Sequence, residues 1–154
     1  MIPELKQLLG AWTAISAPGS VGPAGAQGGW EFRSELDGKV IVRKNWAVYS
    51  SPEGGGVVRH TDLLAVYEAP NGETRAIYWD SEGHVIPYVV RLVEDPKRIE
   101  FSSDPSVAGP TYRLTYTLGG PDEVTGKFEV RQPSGQRFQT YLEWRGVRAP
   151  NKFG

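Results

Sequence analysis

The sequence is a succession of short runs in which apolar and polar residues alternate, and each run ends at a compact turn sequence. The runs lie near 11–17, 29–36, 39–49, 57–68, 73–80, 84–93, 97–102, 111–118, 124–131 and 136–146. A period of two places successive side chains on opposite faces of a β-strand. Between the runs, Asp37-Gly38 and Pro70-Asn71-Gly72 favour tight reversals of the chain. The pattern therefore predicts about ten strands joined by short turns.

The short links limit how these strands are arranged. Parallel neighbours need crossover connections of roughly a dozen residues or more, so short links predict an antiparallel meander. An open sheet of about ten strands would expose two unpaired edges, and closure of the sheet removes both. We therefore expect residues 1–154 to form one all-β domain, a closed antiparallel meander β-barrel.

Two segments depart from the strand pattern. Leu5, Leu8 and Leu9 recur at helical spacing after Pro3, and they predict a short N-terminal helix. The segment 17–29 is rich in Gly, Pro and Ala, and we expect it to be a mobile loop over the barrel mouth. It does not match a phosphate-binding loop, because no Lys-Ser or Lys-Thr pair and no helix follow its glycines.

Composition excludes several classes of chemistry. The chain has no Cys and two His, which excludes disulfides, thiolate nucleophiles and zinc–cysteine sites. Its 17 Lys and Arg against 18 Asp and Glu give a net charge of −1, too balanced for a general polyanion binder. We expect no haem, zinc or nucleotide cofactor and no nucleic-acid partner. No run is long enough to span a membrane and no secretory leader is evident, so we expect a cytoplasmic protein.

The tetrapeptide Leu9-Gly-Ala-Trp12 opens the first predicted strand. It resembles the Gly-x-Trp signature of the lipocalin and calycin superfamily, whose members are antiparallel barrels. In those barrels the Trp closes one end, and an Arg near the last strand stacks on its indole. The resemblance implies that Trp12 is buried at one end of the barrel beside Arg145 or Arg148, in a cation–π contact.

Longer phrases extend the resemblance over most of the chain. The segments 38–42, 60–67, 78–83 and 141–144 are similar to bacterial lipocalin-like domains of unknown function. Ten strands rather than eight also resemble the fatty-acid-binding branch and the nitrobindin-like haem barrels. The haem barrels bind iron through a His late in the chain, whereas no His follows His84 here, which argues against haem. The resemblance implies a cavity for a small, largely apolar molecule.

His60 and Asp62 are two positions apart on one predicted strand, so their side chains face the same way. If that face is interior, the carboxylate orients the imidazole, raises its pKa and suits a ligand hydrogen bond or a general base. An exposed strand with two ordinary polar residues is the alternative, since Leu63 and Leu64 make both faces apolar. We expect His84, at a strand entrance, to lie at the rim.

Further candidates are charged or aromatic residues. Arg43 and Arg113 are candidate carboxylate anchors, because a guanidinium binds a carboxylate bidentately. Tyr141 and Glu143 share a face and would suit proton transfer. Cross-strand pairing on the surface is the alternative for the arginines, and core packing is the alternative for the rings. Aromatic residues are expected to line an amphipathic pocket, and the candidates are Trp30, Phe32, Tyr78 and Tyr88, with further rings from Tyr112, Tyr116, Phe128 and Tyr141.

These residues support three interpretations of function. The first is a barrel that binds a small hydrophobic or amphipathic molecule in an aromatic-lined cavity. The second is a cofactor-independent lyase or isomerase on the same barrel, with His60 or Glu143 as acid or base. The third is an interaction module that forms a homodimer through its outer sheet face, with Trp46 or Trp79 as anchors. Fold alone does not choose among them.

Overall fold

The computed structural model describes residues 1–15, 22, 25–104 and 108–150, and its architecture is an antiparallel barrel. The strands are β1 (Gly10–Ile15), β2 (Gln27–Glu35), β3 (Val40–Ser50), β4 (Val57–Glu68), β5 (Thr74–Asp80), β6 (Val85–Val93), β7 (Arg98–Ser103), β8 (Thr111–Gly120), β9 (Glu123–Arg131) and β10 (Gln139–Arg148). Each strand pairs with its neighbours in the sequence, and β10 pairs with β1 to close the sheet. The predicted closed antiparallel meander is thus confirmed.

The predicted N-terminal helix is only a short 3-10 helix, Pro3–Leu8. Six residues are too few for a stable α-helix, whereas short pieces are where 3-10 geometry is common. In this geometry residues three apart lie on one face, and Leu5 and Leu8 are both fully buried. A second 3-10 helix, Leu36–Gly38, joins β2 to β3. In the part of the chain described, no helix has the length and apolar character needed to cross a membrane.

The N-terminal segment closes one end of the barrel. Trp12 is 3% exposed, and its indole nitrogen donates to the carbonyl of Leu8 at 2.8 Å. The guanidinium carbon of Arg148 lies 4.3 Å from the centre of the Trp12 ring. Arg148 also donates to the carbonyls of Leu9 and Gln7 at 2.6 and 3.0 Å. The predicted placement of Trp12 beside an arginine of the last strand is therefore confirmed.

Apolar side chains fill the half of the barrel next to this plug. The buried residues there include Phe32, Ile41, Val66, Ala76, Val90, Ile99 and Val124. Two glycines on the wall make room for large rings: a Cβ on Gly126 would lie 2.2 Å from Trp144, and one on Gly146 would lie 2.4 Å from Trp30. Both indoles therefore lie directly against the backbone of the wall.

The half of the barrel away from the plug contains an open cavity. Its rim carries the connections 51–56, 81–84 and 132–138, which join strands at the end opposite the 3-10 plug. The segment 17–29, predicted to be a mobile loop over the mouth, lies largely outside the described residues, and β2 already begins within it.

Candidate functional site

The open half of the barrel encloses a cavity of about 880 Å³ whose two sides differ in chemistry. Strands β3 to β5 contribute polar side chains, namely Arg43, Asn45, His60, Asp62 and Tyr78. Strands β6 and β8 to β10 contribute mainly rings and aliphatic groups, namely Ile86, Tyr88, Tyr112, Leu114, Phe128 and Trp144. A molecule in this cavity therefore contacts a polar face on one side and an aromatic face on the other.

A buried ion pair forms the floor of the polar side. Arg43 and Asp62 are 4% and 9% exposed, and Nη2 of Arg43 donates to Oδ1 of Asp62. Nη1 of Arg43 donates to the Tyr116 hydroxyl at 2.8 Å, across the barrel from β3 to β8. Burial disfavours both charges, but their attraction outweighs it: the pKa of Arg43 is raised and that of Asp62 is lowered. The pair is therefore ionised and close to electrically neutral.

Asp62 also connects the ion pair to the cavity mouth. Its Oδ2 accepts a hydrogen bond from Nδ2 of Asn45 at 2.8 Å and lies 3.2 Å from Nε2 of His60. Nδ1 of His60 lies 3.2 Å from a carboxylate oxygen of Glu82. The hydrogen bond to Asp62, together with that to Glu82, raises the pKa of His60 to about 8. His60 is thus held between two carboxylates and is largely protonated at neutral pH.

A second chain of polar contacts runs to the rim. The Tyr78 hydroxyl lies 3.4 Å from Nε2 of His60 and donates to Oδ2 of Asp80 at 3.1 Å. Nδ1 of His84 lies 2.9 Å from the same Asp80 oxygen, and the His84 side chain is 55% exposed. Burial, followed by the charges of Asp62 and Asp80, raises the pKa of Tyr78. Tyr78 is therefore a neutral phenol between the buried and exposed parts of the cluster.

The aromatic side is ordered by ring-to-ring packing. Tyr112 stacks on Phe128 with ring centres 5.8 Å apart and planes within 11°. Deeper in the barrel, Trp144 packs edge-on against Tyr116 at 6.2 Å. Such contacts contribute roughly 0.5–1.5 kcal/mol each beyond the burial of area. The rings of this wall therefore hold one another in place, which suits a preformed pocket.

The structure brings most of the predicted site residues together. The cavity wall includes Arg43, His60, Asp62, Tyr78 and Tyr88, and it also includes Trp30, Tyr141 and Glu143. Within this set, Tyr141 lies towards the outside: its side chain is 64% exposed, and its ring meets Phe128 at 6.1 Å. Glu143 pairs across the sheet with Lys127, next to the inward pair Trp144 and Gly126, so alternation directs its side chain outwards.

Two predicted residues lie apart from the cavity. Phe32 is 1% exposed and packs edge-on against Tyr116 at 5.6 Å, in the filled half of the barrel. Arg113 donates to both carboxylate oxygens of Glu129 at 3.0 and 3.1 Å, and its guanidinium carbon lies 4.1 Å from the Phe138 ring centre. The contacts of Arg113 are those of a cross-strand pair on the barrel wall, the alternative considered for it.

Sequence reasoning did not identify Tyr116 as the partner of Arg43 or Trp144 as part of the cavity wall. The contact of Tyr116 with Arg43 joins residues 73 positions apart on strands that are not neighbours. Asn45 shares the alternation of Arg43 along β3 and lines the cavity with it. In the described ranges, no group of three or more His, Asp or Glu side chains is arranged to hold a metal ion.

The outer face of the barrel carries a separate hollow. It is lined in part by Trp46, Leu63 and Trp79, and both tryptophans are 41% exposed. This is the face on which the homodimer interpretation depends, and that interpretation remains a prediction.

Fold and site together define a class of structure: a closed ten-stranded antiparallel barrel with an internal ion pair and an aromatic-walled cavity. Comparison with models of known protein families gives no match, and comparison with curated proteins gives none either.

Proposed function

We propose that the protein binds a small amphipathic molecule inside the barrel, in the manner that a lipocalin-like fold implies. The observation that supports this most is the cavity of about 880 Å³, which faces rings on one side and the Arg43–Asp62 cluster on the other. Ligand pockets are typically of about 300–1,000 Å³, mostly apolar, with a few placed polar groups. The cavity has both properties.

The ion pair strengthens this proposal. Burying two charges carries a desolvation penalty, and apolar residues of similar volume in their place are often equally or more stabilising. An interior built only for stability would therefore be expected to fill this space with aliphatic side chains. Arg43 and Asp62 instead border an open cavity, which favours a role in orienting a ligand.

The same pair modifies the expected binding mode. Asp62 already neutralises Arg43, so Arg43 does not offer a free cation to a carboxylate in the way a fatty-acid anchor would. The apolar body of the ligand would lie on the stacked rings of Tyr112 and Phe128, and its polar end would accept hydrogen bonds from neutral donors of the cavity wall.

Blocking the cavity tests the proposal. Ala47 lines the cavity on β3, directly opposite His60, whereas Ala65 lies on β4 between the inward residues Leu64 and Val66. Ala47→Trp should abolish the fluorescence increase of N-phenyl-1-naphthylamine on binding. The matched outer-face variant Ala65→Trp should keep it. Equal binding by the wild type and both variants would refute the internal site.

A second candidate function is cofactor-independent acid–base catalysis. It is favoured by His60, which borders the cavity, has a pKa of about 8 and contacts Asp62, Tyr78 and Glu82. A group with a pKa near the working pH is suited to proton transfer. Incubation of wild type and His60→Gln with a mixture of cell metabolites, followed by mass spectrometry, tests this. Consumption of a metabolite by the wild type alone would support catalysis, and unchanged mixtures would contradict it.

A further inference from the structure

We infer that the hydroxyls of Tyr88 and Tyr112 form a two-donor subsite for a carbonyl oxygen of the bound molecule. The ligand class is then a neutral aromatic or alicyclic ketone or aldehyde. This inference rests on the proposed function, because it assigns the polar end of the ligand within the same cavity.

Among the described residues, the Tyr88 hydroxyl is a donor without an acceptor. Tyr88 is 2% exposed, lines the cavity and packs its ring edge-on against Phe101 at 6.1 Å. Within the described part of the chain, its hydroxyl makes no hydrogen bond. Because the Tyr88 hydroxyl is not one of the buried atoms shut off from the cavity, it can donate to a molecule that occupies the cavity.

Tyr112 is placed to act with Tyr88. Ser103 of β7 pairs with Tyr88 of β6, and its Oγ accepts from the backbone N–H of Tyr112 of β8 at 2.9 Å. The two tyrosines therefore lie in one row across three strands, about 10 Å apart at Cα given the usual strand spacing. A small serine stands between them, and both tyrosines line the cavity. The Tyr112 hydroxyl likewise makes no hydrogen bond among the described residues.

The charges around this row favour a neutral acceptor. Burial is the main influence on Tyr88 and raises its pKa. The charge of Arg43 lowers this pKa and that of Asp62 raises it, and the net result is a raised pKa. Tyr88 is therefore a protonated donor at every ordinary pH. The Arg43–Asp62 pair is close to neutral, and the two carboxylates of Asp80 and Glu82 outnumber the single positive charge of His60 on the cavity wall. A ligand carboxylate would meet this negative charge, whereas a carbonyl oxygen accepts both phenol protons without it.

Three matched probes test the inference: 2-acetylnaphthalene, the hydrocarbon 2-ethylnaphthalene and the carboxylate 2-naphthoate. Wild-type protein should bind the ketone most tightly. Tyr88→Phe and Tyr112→Phe should each weaken ketone binding by about three- to tenfold, the usual effect of one neutral hydrogen bond, and change hydrocarbon binding by less than about twofold. Tyr67→Phe is the control. Tyr67 follows the buried Val66 on β4, so its side chain points to the outer face of the barrel.

The bound carbonyl provides an independent readout. Its infrared stretching band should move to lower frequency in the wild type and return towards the unbound position in Tyr88→Phe. Equal weakening of ketone and hydrocarbon by Tyr88→Phe, or tighter binding of 2-naphthoate than of the ketone, would overturn the carbonyl subsite and leave the internal cavity intact. Failure of all three probes to bind would contradict the proposed function itself.

Discussion

Replacing Asp62 with Leu removes the one carboxylate that, among the residues the structure describes, directly contacts the Arg43 guanidinium. Arg43 is 4% exposed, and its remaining hydrogen-bond partner is the neutral Tyr116 hydroxyl. Leaving a buried charge without its counter-charge costs about 3–5 kcal/mol. We therefore expect Asp62→Leu to lower the free energy of unfolding by that amount.

Replacing the other partner, Arg43, should lower the free energy of unfolding by less. In Arg43→Met, Asp62 keeps its hydrogen bond from Asn45 at 2.8 Å and its contact with His60 at 3.2 Å. His60 has a pKa of about 8, so at neutral pH it supplies a positive charge in place of Arg43. We expect a loss of about 1–3 kcal/mol, the size of hydrogen bonds to a charged group.

The double variant Arg43→Met with Asp62→Leu carries neither charge. It should be more stable than Asp62→Leu alone, because buried ion pairs replaced by apolar groups are often neutral in stability. Urea unfolding of the four proteins near pH 7, followed by tryptophan fluorescence and circular dichroism, gives the coupling free energy. The exposed pair Arg33 and Glu31, whose side chains are 63% and 41% exposed, is the control, with an expected coupling of about 0–1 kcal/mol. Additive losses for Arg43 and Asp62, within about 0.5 kcal/mol, would refute the reasoning.

Three further predictions concern single positions. The pKa of His60 is raised from 6.5 to about 8. Protonated His60 therefore stabilises the folded protein fully below pH 6.5, and this stabilisation is lost as pH rises through 8. After allowance for solvent screening, wild type should lose about 1 kcal/mol of its stability relative to His60→Gln between about pH 6 and about pH 9; a constant difference would contradict this. Gly126→Ala, whose Cβ would lie 2.2 Å from Trp144, should destabilise by about 1–3 kcal/mol, while Gly119→Ala, with its nearest atom at 3.9 Å, should be almost neutral in urea unfolding. Arg148→Met should cost about 1–3 kcal/mol through loss of the Trp12 contact and the carbonyl hydrogen bonds. Arg145→Met, which loses only a 3.9 Å contact with Glu123, should change stability by less than about 0.5 kcal/mol, and equal losses would argue against the plug.

The strands and their order were predictable because the signals are local. Alternation along each run and turn residues between runs do not depend on distant contacts, so the predicted run at 57–68 coincides with β4. The cation–π contact of Trp12 was expected from the resemblance. The 3-10 geometry of Pro3–Leu8 was not, since spacing of three or four residues suits both helix types over so short a length.

The inward face of β3 was harder to predict. Val40 and Val42 make one face apolar, while Ile41 shares the other with Arg43 and Asn45. Hydrophobicity alone favours burying the valines, yet the structure buries Arg43. The reason is non-local, because Asp62 of β4 and Tyr116 of β8 supply the hydrogen bonds of Arg43. The alternation of residues along a strand does not indicate a partner across the barrel.

By contrast, the outward position of Arg113 was open to prediction. In the sequence it stands between Tyr112 and Leu114, and if these two apolar side chains face inwards, strict alternation directs Arg113 to the other face. The row formed by Tyr88 and Tyr112 was not accessible in the same way. It depends on the register of β6, β7 and β8, which short loops alone do not fix to the residue.

Methyl chemical shifts test most directly the proposal that a small molecule binds inside the barrel. Leu114 and Leu142 line the cavity, whereas Leu63 lies in the outer hollow beside Trp46 and Trp79. On titration with N-phenyl-1-naphthylamine, the methyl resonances of Leu114 and Leu142 should move and saturate together, while those of Leu63 stay unchanged. Saturable shifts at Leu63, with the resonances of Leu114 and Leu142 unchanged, would contradict binding inside the barrel.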